Sequence, residues 1–206
     1  MSLFDRIILL LTGLTALYLV WRFYSRYSKT KQIYDLEYMT AFVVLFVSGV
    51  LLIFGGYGLL ASPYVLTIAT LIPLCISMGL VNQLYPQYKK IYGWFALIGL
   101  IAIAITSISG MPAKKIAVPV FHGVAGLIIF LAPILNNGKN GIASGFWFVG
   151  LGGLLIGLGG IALAFISAGA QLLFFSPDFV MMILAPLLLL MTLAFTYGFV
   201  KDIYNN

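Results

Sequence analysis

The sequence predicts an all-α membrane protein in which seven transmembrane helices form one bundle. Of its 206 residues, 63% are hydrophobic and only 8% are charged, whereas soluble domains carry about 25% charged residues. Seven apolar segments can be drawn along the chain, and the polar stretches between them are too short to fold in water. We therefore expect a single transmembrane domain over residues 1–206, integral to the cell membrane.

Each apolar segment is long enough to cross the hydrocarbon core, which takes at least about 17 residues of helix. Charged residues lie between the segments or near their ends. The predicted spans run from Ile7 to Phe23, Tyr38 to Leu60, Tyr64 to Leu84, Ile91 to Ser109, Val118 to Leu135, Gly145 to Ala170 and Phe179 to Val200.

The first two segments are flanked by charges that support their interpretation as retained helices. The first has the length of a signal peptide, but basic residues such as Arg26 follow the apolar run, and no small-x-small cleavage site is present. The second is preceded by Asp35 and Glu37, and acidic side chains favour a helix N-terminus through capping and the helix dipole.

Prolines distinguish the later segments. Pro63 precedes the third span and Pro73 interrupts it, while Pro177 precedes the seventh span and Pro186 interrupts it. A proline inside a helix removes a hydrogen bond and leaves a carbonyl without its partner, so Pro73 and Pro186 are candidate hinges. The fourth span contains no proline, and the fifth carries His122 in its first turns.

The sixth segment has glycines in two sets. At about 100° per residue, four glycines and two alanines lie within roughly 80° of arc and form a continuous groove of small residues. In lipid, such grooves let neighbouring backbones approach closely. We therefore expect this helix to pack between two neighbours near the middle of the bundle. The groove contains Gly150, Gly153, Gly157, Gly160, Ala164 and Ala168, and the opposite face carries Gly145, Gly152 and Gly159.

The basic residues predict the orientation of the chain, because cytoplasmic loops carry the excess of Lys and Arg. All three tryptophans, Trp21, Trp94 and Trp147, fall at ends assigned to the inside, and such rings settle at headgroup level. We expect an outside N-terminus and a cytoplasmic C-terminus. The inner set is Arg22, Arg26, Lys29, Lys31, Lys89, Lys90, Lys139 and Lys201, against an outer set of Arg6, Lys114 and Lys115.

Paired motifs suggest an internal duplication of three helices. Ser62-Pro63 and Ser176-Pro177 each open a span, and Leu59-Leu60 and Leu172-Leu173 precede them. Spans one to three and five to seven would then be parallel repeats separated by an inverting fourth span. The alternative is that apolar helices with Ser-Pro openers are alike by composition. The three-plus-one-plus-three outline resembles that of the sugar-efflux and PQ-loop transporters, which concentrate their prolines in other helices, and it is shared by seven-helix receptors.

A stripe of polar side chains around Pro73 is the candidate solute pathway, because its members recur at helical spacing. The lone histidine belongs to the same hypothesis, since an ionisable side chain at membrane depth is a functional candidate by default. The alternative for every member is a structural hydrogen bond within its helix or to a neighbouring helix. The candidate pathway residues are Thr67, Thr70, Ser77, Asn82 and His122.

The sequence lacks the residues that several kinds of chemistry require. No Asp, Glu, Lys or Arg lies at mid-depth of a predicted span, which argues against a proton relay, a coupled-ion site and a voltage sensor. No set of residues for intramembrane hydrolysis can be assembled, and one histidine cannot supply paired haem ligands. We therefore expect no enzyme, no cofactor, no metal and no nucleic-acid partner.

Two functions remain open. The first is passive movement of a small neutral or weakly polar solute between the two three-helix units. The second is a non-catalytic membrane subunit or sensor-like module that packs against partners through the glycine surface. The expected partners are membrane lipids, other membrane proteins or further copies of the chain.

Overall fold

The computed structural model describes residues 1–167 and 176–205 and shows an all-α bundle. No β-strand occurs in these residues, so the predicted fold class is confirmed. Six of their seven helices are long and apolar enough to cross a membrane, which indicates an integral membrane protein. The helices are α1 (Leu3–Thr30), α2 (Ile33–Gly55), α3 (Pro63–Leu84), α4 (Lys89–Ile108), α5 (Lys114–Asn136), α6 (Trp147–Ser167) and α7 (Pro177–Asn205).

Three helices extend beyond the predicted spans at the same end of the bundle. α1 continues past Phe23 and ends where Lys31 takes a left-handed φ of 55°. α2 begins at Ile33 rather than Tyr38, and α7 runs to Asn205. The sequence-based spans stopped near the first charged residues, so they left these polar turns outside the bundle.

At the opposite end, α2 stops earlier than predicted. Its last residue is Gly55, and the following Gly56 has a φ of 72°, which favours glycine. A 3-10 turn, Tyr57–Ala61, then leads to Pro63 at the start of α3. Proline suits this position because its fixed φ matches the helix and its missing N–H has no partner there.

Every helix packs against its neighbours in sequence, and two further contacts close the bundle. α7 packs against α1, and α5 packs against α3. α3 contacts α2, α4 and α5, and it is the most buried of the spans. α6 packs mainly against α5 and α7, while Leu154 and Leu158 on its outer face are exposed. The sequence had suggested that α6 lies near the middle of the bundle. Among the described residues, α3 occupies that position instead.

Aromatic rings fill the core near the ends of α1 and α7. Phe23, Tyr38, Phe42, Phe195 and Phe199 are all fully buried. The ring centres of Tyr38 and Phe199 are 4.6 Å apart, and those of Phe23 and Phe199 are 5.1 Å apart. Such pairs contribute about 0.5–1.5 kcal/mol beyond their burial. They connect α1, α2 and α7 in lipid, where helix association has no hydrophobic driving force of its own.

The glycines of α6 differ in their surroundings. A Cβ added at Gly150 would lie 2.6 Å from the carbonyl oxygen of Phe130 in α5, and one at Gly153 would lie 2.8 Å from the carbonyl carbon of Ile129. Both distances are too short for a side chain, so α6 and α5 approach closely here. On the opposite face, a Cβ at Gly145, Gly152 or Gly159 would meet side chains of α7.

Two further glycines of the predicted groove have no close neighbour in the described part of the chain. Among the described residues, nothing lies within 4 Å of a Cβ built at Gly157 or Gly160. The side chain of Ala164, the whole of Ala168 and the Leu172-Leu173 pair lie outside the described residues. That the groove fastens the bundle stays a prediction, as do the orientation, the single domain and the duplication.

Candidate functional site

Three charged side chains meet inside the bundle where α1 and α7 end. Arg26 comes from the last turns of α1, Asp35 from the first turn of α2 and Asp202 from the last turns of α7. They meet because residues 31–32 alone join α1 to α2, and because α7 packs against α1. Arg26 is 5% exposed and both carboxylates are 0% exposed. We call these three residues the charged cluster.

Arg26 binds both carboxylates of the charged cluster. Its Nε donates to Asp35 Oδ1 at 2.7 Å, and its Nη2 lies 2.7 Å from the same oxygen. Its Nη1 donates to Asp202 Oδ2 at 3.0 Å. The guanidinium carbon also lies 5.2 Å from the ring centre of Tyr34, within cation–π range. One cation thus compensates two carboxylates from different helices.

Neutral groups extend the charged cluster to α3 and to the loop between α5 and α6. Gln83 of α3 donates from Nε2 to Asp202 Oδ2 at 2.7 Å, and its Oε1 accepts from the Tyr38 hydroxyl at 2.8 Å. The backbone N–H of Ala143 donates to Asp202 Oδ1 at 3.5 Å. Asp202 therefore bonds the last helix directly to α1 and α3, and it is linked to α2 through Arg26 and Gln83.

The charged cluster is weak evidence for stability, but breaking it is costly. Taking charges out of water is costly, and a buried ion pair often adds no net stability over apolar side chains of the same size. Removing one partner alone costs about 3–5 kcal/mol, because a buried charge is then left uncompensated. Here Arg26 has two partners, so the loss of either carboxylate alone would leave Arg26 bonded to the other.

A second polar contact joins α2 to α3 at the same end. Nδ2 of Asn82 donates to both carboxylate oxygens of Glu37, at 2.7 and 2.8 Å. The sequence placed Asn82 on a solute pathway and Glu37 at a helix start. The structure pairs them beside the charged cluster, because Asn82 directly precedes Gln83.

The hydroxyl groups of the predicted pathway bond within their own helix. Each one donates to the carbonyl four residues earlier, which is the alternative that the sequence left open. Ser77 Oγ also accepts from the Tyr92 hydroxyl of α4 at 2.8 Å. The three bonds are Thr67 to Pro63 at 2.8 Å, Thr70 to Leu66 at 2.9 Å and Ser77 to Pro73 at 2.7 Å.

His122 and the candidate hinges lie elsewhere on the helices. His122 lies in the first half of α5, far from the charged cluster, and is half-buried. Its Nδ1 has no hydrogen-bond partner in the described part of the chain. Pro73 and Pro186 stand inside α3 and α7. The structure thus brings only Asn82, of the five predicted pathway residues, next to the charged cluster.

Sequence reasoning missed the charged cluster because each member has a local explanation. Arg26 contributes to the orientation argument and Asp35 to a helix start, while Asp202 carried no prediction. The signal for Asp202 appears only once the helix is known to continue past the predicted end at Val200. Asp202 stands in the last turns of a helix, where the dipole disfavours an anion. An acid at such a position requires a compensating partner.

Two concavities in the described residues lie on the outside of the bundle. One, of about 450 Å³, lies between α1 and α7. The other, of about 330 Å³, lies between α1 and α2 at the opposite end. Neither is lined by a predicted pathway residue.

Comparison with known proteins gives no assignment. No family model, no curated protein and no solved structure is significantly similar to this chain.

Proposed function

We propose that the protein lets a small neutral or weakly polar solute cross the membrane passively, between helices α1–α3 and helices α5–α7. In this proposal the charged cluster closes the path at one end. The observation that supports it most is that Arg26 of α1 bonds both Asp35 of α2 and Asp202 of α7, which would belong to different units. A buried charge that keeps one partner while it releases the other is suited to a gate.

The order of packing is compatible with two units that move against each other. If α1, α2 and α3 correspond to α5, α6 and α7, then the contact of α1 with α7 corresponds to that of α5 with α3. The two contacts that close the bundle, α1 with α7 and α5 with α3, would then be structurally equivalent. This relation supports the proposal because transporters with repeated units rock one unit against the other.

Opening would proceed by partner exchange at the gate and by bending at the prolines. Asp202 leaves Arg26, which stays bonded to Asp35. Pro73 and Pro186 each lack the N–H that would tie them to the preceding turn, so α3 in one unit and α7 in the other are each weakened at one point. α5 of the second unit has two further internal prolines, Pro119 and Pro133. In the open form, the polar groups of the predicted pathway line the route, namely Thr67, Thr70, Ser77, Asn82 and His122.

Solute flux into liposomes that contain the purified protein tests the proposal. We expect uptake of at least one member of a panel of neutral solutes, and faster uptake with Asp202→Asn, because a neutral amide holds Arg26 less strongly. Asp178→Asn is the matched control, since it changes an exposed acid at the other end of the same helix. If neither the unsubstituted protein nor Asp202→Asn passes any solute, the proposal is wrong.

A second candidate function rests on the open part of the α6 groove. Gly157 and Gly160 meet no neighbour among the described residues, and Leu154 and Leu158 beside them are exposed. A non-catalytic membrane subunit would use such a surface to approach a partner backbone. In that case Gly157→Leu removes a copurifying partner while the monomer still folds, whereas Gly153→Leu, which clashes with α5, impairs the monomer itself.

Neither candidate includes catalysis or a cofactor, and we propose that the protein is not an enzyme. Loss of a measurable lipid-directed activity on His122→Ala would contradict this proposal.

A further inference from the structure

We infer that the groove between α1 and α7 binds one anionic phospholipid, with an acyl chain along α7 and the phosphate at Arg22 and Lys201. The groove has a volume of about 450 Å³. Its walls are mostly apolar or aromatic, with Tyr18 from α1 and Leu193, Tyr197 and Tyr204 from α7. It opens on the outside of the bundle, where lipid surrounds the protein.

One end of the groove is basic, because Lys201 lines it and Arg22 of α1 lies against Tyr204, which also lines it. Arg22 lies 4.3 Å from the ring centre of Tyr204 and donates from Nη1 to the hydroxyl of that tyrosine at 3.0 Å. Its Nε is buried and has no hydrogen-bond partner among the described residues. Lys201 is exposed, with Nζ 5.7 Å from the ring centre of Tyr197. The two side chains offer donors for phosphate oxygens.

No acidic residue of the described part of the chain lines this groove. Asp202 is next to Lys201 in sequence, but its carboxylate is fully buried and bonded to Arg26. The local charge at the mouth is therefore positive, and a basic pocket between transmembrane helices is the pattern that recognises anionic headgroups. A zwitterionic headgroup carries its own cation, so it would gain less binding energy from Arg22 and Lys201.

The length of the groove matches one leaflet. Leu193 and Tyr204 are separated by about 16 Å at 1.5 Å per helical residue, close to half of the roughly 30 Å hydrocarbon core. The lining positions of α7 recur every three or four residues, so they share one face of the helix. Trp21 and Tyr24 are exposed beside Arg22, as expected at headgroup level.

Native mass spectrometry of the detergent-purified protein, titrated with phosphatidylglycerol and with phosphatidylcholine of the same chains, tests the inference. We expect one phosphatidylglycerol to bind more tightly than phosphatidylcholine. The double variant Arg22→Gln/Lys201→Gln should lose about fivefold in affinity per charge, roughly 25-fold in all. Lys89→Gln/Lys90→Gln removes two exposed charges outside the groove and should leave the affinity unchanged.

A groove-filling variant keeps the test decisive if the double variant does not fold. Leu193→Trp retains both cations and should weaken binding of both lipids, because the indole ring would fill the space that the acyl chain occupies. Equal affinity of the unsubstituted protein for the two lipids would overturn the inference. So would an equal loss in the Lys89/Lys90 control, or unchanged binding in both the double variant and Leu193→Trp.

Discussion

The charged cluster and the α5–α6 contact hold helices together by opposite means. At the charged cluster, Arg26 bonds two carboxylates from other helices, and each bond is directional. At the α5–α6 contact, Gly150 and Gly153 place two backbones so close that a methyl group would not fit. The first contact depends on charge and the second on shape. A bundle in lipid can use both, but only the first can release one partner without losing all its bonds.

The largest expected effect comes from Arg26→Met. Two fully buried carboxylates would remain without their cation, and we expect a loss of about 3–5 kcal/mol in the free energy of unfolding. Unfolding by a denaturing detergent in mixed micelles, followed by circular dichroism, measures it.

The triple variant Arg26→Met/Asp35→Leu/Asp202→Leu is the control for Arg26→Met. Since it leaves no uncompensated charge, we expect its stability to return close to that of the unsubstituted protein. A triple variant as unstable as Arg26→Met would show that the charged cluster is a permanent fastening and would remove the argument for a gate.

Gly153→Ala is expected to have an intermediate effect. Its new methyl group would meet the backbone of Ile129 and Phe130 in α5, and overpacking of this kind costs about 1–3 kcal/mol. Gly157→Ala is the matched control on the same face, where the methyl group meets no neighbour among the described residues. The same unfolding assay should find Gly157→Ala unchanged or slightly more stable, because alanine favours helix. Equal losses would mean that the contact with α5 does not decide the effect.

The smallest effect is expected for Tyr38→Phe, at the edge of the charged cluster. It removes the hydroxyl group that donates to Gln83 Oε1, and we expect the free energy of unfolding to fall by about 0.5–1.5 kcal/mol. Tyr64→Phe at the exposed start of α3 is the control and should be neutral. If Tyr38→Phe is also neutral, the Gln83 bridge does not support the charged cluster.

Much of the fold could be predicted from local patterns, but less of the site. The apolar runs around Phe42 and Ile103 predict helices without reference to any partner, and both residues lie in the core of the described bundle. Asn82 is the one predicted pathway residue beside the charged cluster, and it bonds Glu37. The hydroxyls of Thr67 and Thr70 bond within α3, because a carbonyl one turn away is always in reach.

By itself, the sequence determined that this protein folds in lipid rather than in water. Hydropathy is a property of each residue, so long apolar runs with few charges indicate helices in lipid whatever their neighbours are. Only the tertiary structure decided where the charges at the ends of those runs go. Arg26 and Asp202 are 176 positions apart, and no local pattern tells whether a terminal charge faces water or another helix. That choice depends on which helices pack side by side, and here it converts three separate end charges into one buried cluster.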